Sequence, residues 1–175
     1  MCAARCGGAP WPPVLLVEIE PVAGRSDRAG PPLTDAWSIF PYDHLALGQL
    51  ALVRLAQGRA YDAVIIERRR LQFVPCAENI YALAIALTAA GRSKEARTLF
   101  AKFELEAKSR LSLENNANRE LVHYYVNYAR KPAAALSIAA REIERRQDVR
   151  TVEAYIVVLT AQCQQTDALR PIPFL

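Results

Sequence analysis

Four cysteines and two histidines are the residues of this 175-residue chain best suited to hold a metal, and their spacing argues against it. Cys2 and Cys6 lie close together, but Cys76 and Cys163 stand alone, as do His44 and His123. A structural zinc site takes four ligands, commonly from two close pairs. The same scatter does not suit a disulfide framework, which belongs to short, cysteine-dense secreted chains. The thiols read as reduced, and as structural or incidental.

Catalytic constellations are also missing from the sequence. No H-E-x-x-H, no G-x-S-x-G and no glycine-rich phosphate loop occurs. Gly91-Arg92-Ser93-Lys94 lacks the preceding strand and the further glycines of a phosphate loop, and reads as a turn between helices. Carboxylates sit beside basic residues at helical spacing, as Glu142 with Arg146 and Glu144 with Arg145, the pattern of a solvated helix face. Three basic clusters, Arg68-Arg69-Arg70, Lys108 with Arg110, and Arg145-Arg146, fall near the ends of expected helices. Cations there complement the negative end of the helix dipole. The expectation is no enzyme, no cofactor and no metal.

Composition narrows the class further. A net charge of +4 and a pI near 9.0 are compatible with nucleic acid but do not demand it. No run of about 18 apolar residues exists to cross a membrane, and Val14 to Val17 is too short for a signal-peptide core. A cytoplasmic location is the resulting expectation. Few glycines and phenylalanines among many alanines and leucines favour helices over strands.

The elements that position these residues fall in two regions. Residues 1–34 are rich in proline and glycine, with six of the eleven prolines at or before Pro32. Proline removes backbone donors and glycine adds chain entropy, so a poorly ordered tail is expected there. One apolar segment, Val14-Leu15-Leu16-Val17-Glu18-Ile19, could form a short strand or dock onto the body. In the domain expected over 35–175, apolar residues recur at three and four from Pro41 onward, the mark of amphipathic helices. Helices are expected at 43–57, 60–72, 77–90, 93–109, 115–129, 132–146 and 149–163. Asp43 and Asp148 suit N-caps, Pro75 and Pro132 suit first turns, and Gly58 and Gly91 suit left-handed C-terminal positions.

A period runs through these helices. Gly58 and Gly91 are 33 residues apart, as are Ala63 and Ala96, and as are Ala135 and Ala168. From Ala96 to Ala135 the step is 39, which places an insertion of about six residues in the polar stretch Ser109 to Asn118. The clearest copy reads Ile80, Leu83, Ala84, Leu87, Gly91, Ala96, Phe100 and Phe103. The copy before it reads Leu47, Leu50, Ala51, Gly58, Ala63 and Pro75; the third offers Val122, Val126, Ala135 and Ala139; a fourth begins Val152, Tyr155, Ile156 and Leu159.

This pattern resembles the tetratricopeptide repeat over about 41–169. Arg54 and Glu67 depart from it where large apolar residues are usual, and His123 where a small one is. The resemblance implies an all-α, right-handed solenoid of helical hairpins, in which small residues let paired helices approach and large ones fill the grooves. It also implies a concave face built from the first helix of each pair. Carried onto this chain, that face holds Leu52, Leu55, Tyr81, Ile85, Thr88, Glu120, Tyr124, Asn127 and Tyr128. The Lys, Asn and Arg of the family's carboxylate clamp are replaced by Gly48, Tyr81, Leu52 and Ile85, so an apolar peptide or helix is the ligand implied.

The ends of the array are also informative. Pro41 stands where a preceding repeat would close, with Ala36-Trp37-Ser38-Ile39-Phe40 resembling the tail of its second helix. The last helix carries Ile156, Val157, Val158 and Leu159, too apolar all round for a solvated cap. The C-terminal residues Pro171 to Leu175, or another chain, are expected to cover it, with self-association as one form this takes. Binding of another protein is the functional expectation, and a basic helical-repeat module reading RNA is the alternative.

Overall fold

The computed structural model describes residues 43–114 and 116–168, with side chains as far as Cys163. All secondary structure among the described residues is helical: α1 (His44–Ala56), α2 (Ala60–Phe73), α3 (Ala77–Ala89), α4 (Ser93–Lys108), α5 (Asn118–Asn127), α6 (Pro132–Arg145) and α7 (Val149–Ala168). The tail expected over 1–34, Pro41 with the segment before it, and Pro171 to Leu175 lie outside the described residues. The chain divides between Glu106 and Ala107 into two compact units.

In the first unit α1 packs on α2 and α3, and α2 packs on α3. The core is aliphatic on α1 and α3, where Leu47, Leu50, Val53, Ile80, Leu83 and Leu87 are nearly inaccessible. Phe100 and Phe103 of α4 complete it. Their rings lie 6.1 and 5.0 Å from that of Tyr81, which fastens α3 to α4. Ala51 and Ala63 are fully buried, as are Ala84 and Ala96 one period later. A larger residue at any of the four would meet the paired helix, because interiors leave no room for added methylenes.

In the second unit α5 packs on α6 and α7, and α6 packs on α7. Leu121, Val122, Tyr125, Ala135, Ala139 and Val158 form its core. The buried stripes of α2, α4 and α6 share one register: Ala63 with Glu67, Ala96 with Phe100 and Phe103, Ala135 with Ala139 and Glu142. The step from Ala96 to Ala135 spans the polar connector, and α5 starts at Asn118 rather than at 115.

The helix ends follow local chemistry. Asp43 Oδ1 accepts from the amides of Leu45 and Ala46 at 2.8 and 3.3 Å. Asp148 Oδ1 accepts from Arg150 and Thr151, both at 3.1 Å, while Thr151 Oγ1 donates to Asp148 Oδ2 at 2.8 Å. That hydroxyl, with the Thr151 amide, holds the Asp148 carboxyl below its usual range. Gly58 and Gly91 have φ of 72° and 75°. Each closes its helix with the same pair of bonds: Gly58 N to Leu55 O and Arg59 N to Arg54 O, then Gly91 N to Thr88 O and Arg92 N to Leu87 O. These are the two bonds of the Schellman motif. Arg130, five residues before Ala135 as each glycine precedes its alanine, has φ 54°. Its turn is one residue wider, closed by Lys131 N to Tyr125 O at 2.8 Å.

Candidate partner-binding surfaces

The residues expected on a first-helix face divide between the two units. In the first unit Leu52 is 52 % exposed, and Leu55 and Ile85 are half-buried. Leu52 and Ile85 are one 33-residue step apart, at matching places in α1 and α3. Thr88 is exposed, but its hydroxyl donates to Ala84 O at 2.9 Å, so its own helix uses it. Tyr81 is only 8 % exposed, its ring spent on Phe100 and Phe103. The structure therefore leaves Leu52, Leu55 and Ile85 as the accessible apolar side chains of this set.

In the second unit Glu120 is buried and its carboxylate is forked to Arg119, with the Nε bond at 2.9 Å. Tyr124 is half-buried against Tyr125, with ring centroids 5.6 Å apart. Asn127 and Tyr128 are exposed, and partial burial still pushes the Tyr128 phenol above its ordinary value.

A groove absent from the sequence reading lies on the other side of the first hairpins. Leu83 and Leu87 of α3 form its floor, Leu71 of α2 and Leu99 of α4 its walls, and its volume is about 490 Å³. Arg68 Nη2 reaches Glu95 Oε2 at 2.9 Å across it, and Arg92 holds the same carboxylate through bonds of 2.6 and 2.8 Å. These bonds keep the Glu95 carboxyl below the usual carboxylate range. Leu83 and Leu87 are legible from sequence as core, but a floor shared by three helices carries no periodic signal of its own.

Two buried carboxylates were equally hard to read. Glu67 is 3 % exposed, and burial raises its pKa to about 7 against the opposing charge of Arg70. Arg70 Nη1 lies 3.3 Å from both Glu67 oxygens. Its guanidinium fits because Gly48 carries no side chain: a Cβ there would lie 2.7 Å from Arg70 Cζ. Glu142 is also buried and accepts from Asn118 Nδ2 at 2.8 Å, Arg145 at 3.0 Å and Arg146 at 3.0 Å. The same arginines donate to carbonyls of the connector, Arg145 to Leu113 at 3.3 Å and Arg146 to Glu114 at 3.1 Å.

The basic clusters are thus occupied by the protein itself. Arg69 lies over the Phe73 ring at 5.6 Å, and Lys108 and Lys131 lie over the Tyr125 ring at 5.8 and 5.7 Å. Among the described residues no group of His, Cys, Asp and Glu is arranged to hold a metal ion. No described helix is long and apolar enough to cross a membrane. No protein-family model matches the chain, and no curated protein matches it.

Proposed function

We propose that the chain is a short helical-hairpin repeat protein of tetratricopeptide type that binds another protein. A recurring left-handed residue with an alanine five residues on supports the repeat, at Gly58 and Gly91 in the same closing turn and at Arg130 in a turn one residue wider. In this reading the hairpins stack as a right-handed solenoid, and the first helices line its concave face.

The observation that carries the binding assignment is the exposure of Leu52 at 52 % beside half-buried Leu55, with Ile85 at the matching place in α3. These aliphatic side chains are accessible on helices whose other faces are already packed. An apolar segment of a partner, extended or helical, is the ligand such a face takes. In the second unit Tyr124, Asn127 and Tyr128 offer aromatic area and an amide of their own, with Tyr128 the more accessible anchor.

The basic residues do not favour the RNA alternative. Arg68, Arg69, Arg70, Arg145 and Arg146 each engage a carboxylate, a ring or a carbonyl of the chain. A phosphate ligand would have to displace those contacts.

The test is affinity capture of the tagged full chain from its native lysate, with and without nuclease, in parallel with Leu52→Asp and Ile85→Asp. A discrete protein that survives nuclease and is lost with either variant, at unchanged helicity, is the expected result. Binding that is lost on nuclease treatment, or that both variants retain, overturns the assignment.

A further inference from the structure

Helix α7 presents to solvent the stripe that α3 buries. Ile80, Ala84 and Leu87 of α3 are at most 2 % exposed, because α2 packs on α3 from before and α4 follows it. The matching residues of α7, each 72 positions later, are Val152, Ile156 and Leu159, exposed by 37, 55 and 40 %. The opposite face of α7 is occupied: Ala154 and Val158 are buried against the helices α7 packs on, α5 and α6. Among the described residues no helix follows α7 to play the part that α4 plays for α3.

The stripe is longer than one hairpin needs. Val149, 85 % exposed, and Cys163, also exposed, extend it to Val149, Val152, Ile156, Leu159 and Cys163. Steps of three and four give a mean of 3.5 residues, the spacing of a two-helix seam with knobs in holes. A 3.5-residue seam fits another helix of the same pitch rather than an extended peptide.

Charge decides between a parallel and an antiparallel arrangement of two such helices. In a parallel pair Asp148 of one copy flanks the seam opposite Glu153 of the other, twice over, so like charges meet. In an antiparallel pair the layers are Ile156 with Leu159 and Val152 with Cys163, while Glu153 is flanked by Thr160. No like charges face each other there, and the helix dipoles oppose.

We propose that α7 is the interface of a homodimer, with the α7 helices of two copies packed antiparallel along Val149, Val152, Ile156, Leu159 and Cys163. This surface is distinct from the partner-binding face of the first unit, and either assignment stands without the other.

Site-directed thiol crosslinking of the full chain tests it. In a Cys2→Ser, Cys6→Ser background Cys163 is the exposed thiol, since Cys76 is buried. The antiparallel register holds the two Cys163 residues about 16 Å apart, at about 1.5 Å per residue, so mild oxidation of this background gives no covalent dimer. Adding Val152→Cys places a thiol opposite Cys163 of the second copy, and oxidation then gives a dimer whose linkage peptide mapping assigns to positions 152 and 163. Ile156→Lys abolishes that crosslink and shifts sedimentation at high micromolar concentration from dimer to monomer, with helicity retained. A linkage between the two Cys163 residues overturns the antiparallel arrangement. A monomer in sedimentation overturns the dimer, including the case in which hydrogen exchange shows α7 covered by another segment of the same chain.

Discussion

The side-chain amide of Asn79 donates to Val74 O at 2.8 Å, and that of Asn118, 39 residues later, donates to Leu111 O at 2.9 Å. Both asparagines are nearly inaccessible, and both lie in the first turn of a first helix. Each ties its helix to a carbonyl of the connector that precedes it. The step of 39 is also the one separating Ala96 from Ala135, so the amide keeps its spacing to that alanine although the connector between is longer. Asn118 adds a bond to Glu142, which carries Arg145 and Arg146 and through them the connector carbonyls.

Removing the asparagine amides should therefore destabilise both units, and Asn118 more than Asn79. Asn79→Ala removes one of the two bonds to Val74 O, which keeps that from Cys76 N, at about 0.5–1.5 kcal/mol. Asn118→Ala also strips a donor from buried Glu142, so its loss lies toward or above the upper end of that range. Urea unfolding followed by helicity compares the two; equal effects would deny the Glu142 network its role.

Arg130 has a left-handed backbone without being glycine. Non-glycine residues pay about 1 kcal/mol or more for that conformation. Arg130→Gly is expected to stabilise the second unit by about 0.5–1 kcal/mol, whereas Gly58→Ala and Gly91→Ala should each destabilise the first by about 1 kcal/mol. Shifts in thermal midpoint give the sign, and a destabilised Arg130→Gly would mean that its side chain contributes more than the strain costs.

The buried Glu67 gives stability an unusual pH dependence. Its pKa rises from 4.5 to about 7 on folding, so the folded state binds more protons than the unfolded state between those values. Stability falls as pH rises through that window and levels off above it, by at most about 3 kcal/mol. Glu67→Gln should remove this slope, read as the difference between wild type and variant in urea midpoints at pH 5 and pH 8. An identical pH profile for the two proteins would show that Glu67 is ionised throughout.

Gly48 is required for its size. Gly48→Ala brings a methyl to 2.7 Å from Arg70 Cζ, so the guanidinium at the end of that flexible side chain must shift beside Glu67. Helix propensity favours the alanine by about 1 kcal/mol; the displaced arginine is expected to outweigh it, for a net loss of about 1–2 kcal/mol. In an Arg70→Met background the same substitution should become neutral or stabilising, which a double-mutant cycle measures.

Much of the helical framework was legible because its signals are local. Asp43 and Asp148 cap, Gly58 and Gly91 close, and six of the seven helix starts fall within one residue of the positions that caps and periodicity imply. Helix α5 starts three residues later than periodicity implies because Asn116 folds into the connector, donating to Leu113 O and accepting from the Asn118 amide. Arg130 left no trace, since nothing in its residue type signals a left-handed turn. On the candidate face, Leu52 and Ile85 are accessible as their helix positions imply, whereas Tyr81, also placed there, meets two phenylalanines of α4. One helix's periodicity does not report what the next helix brings.

Photocrosslinking from the first-unit face tests protein binding most directly. A photoreactive amino acid replaces Leu52 in the full chain, and Tyr61, 67 % exposed on α2, serves as the control position. A discrete, nuclease-resistant protein adduct is expected from position 52, lost on adding Ile85→Asp, and none from position 61. An adduct to RNA, or the same adducts from both positions, would contradict it.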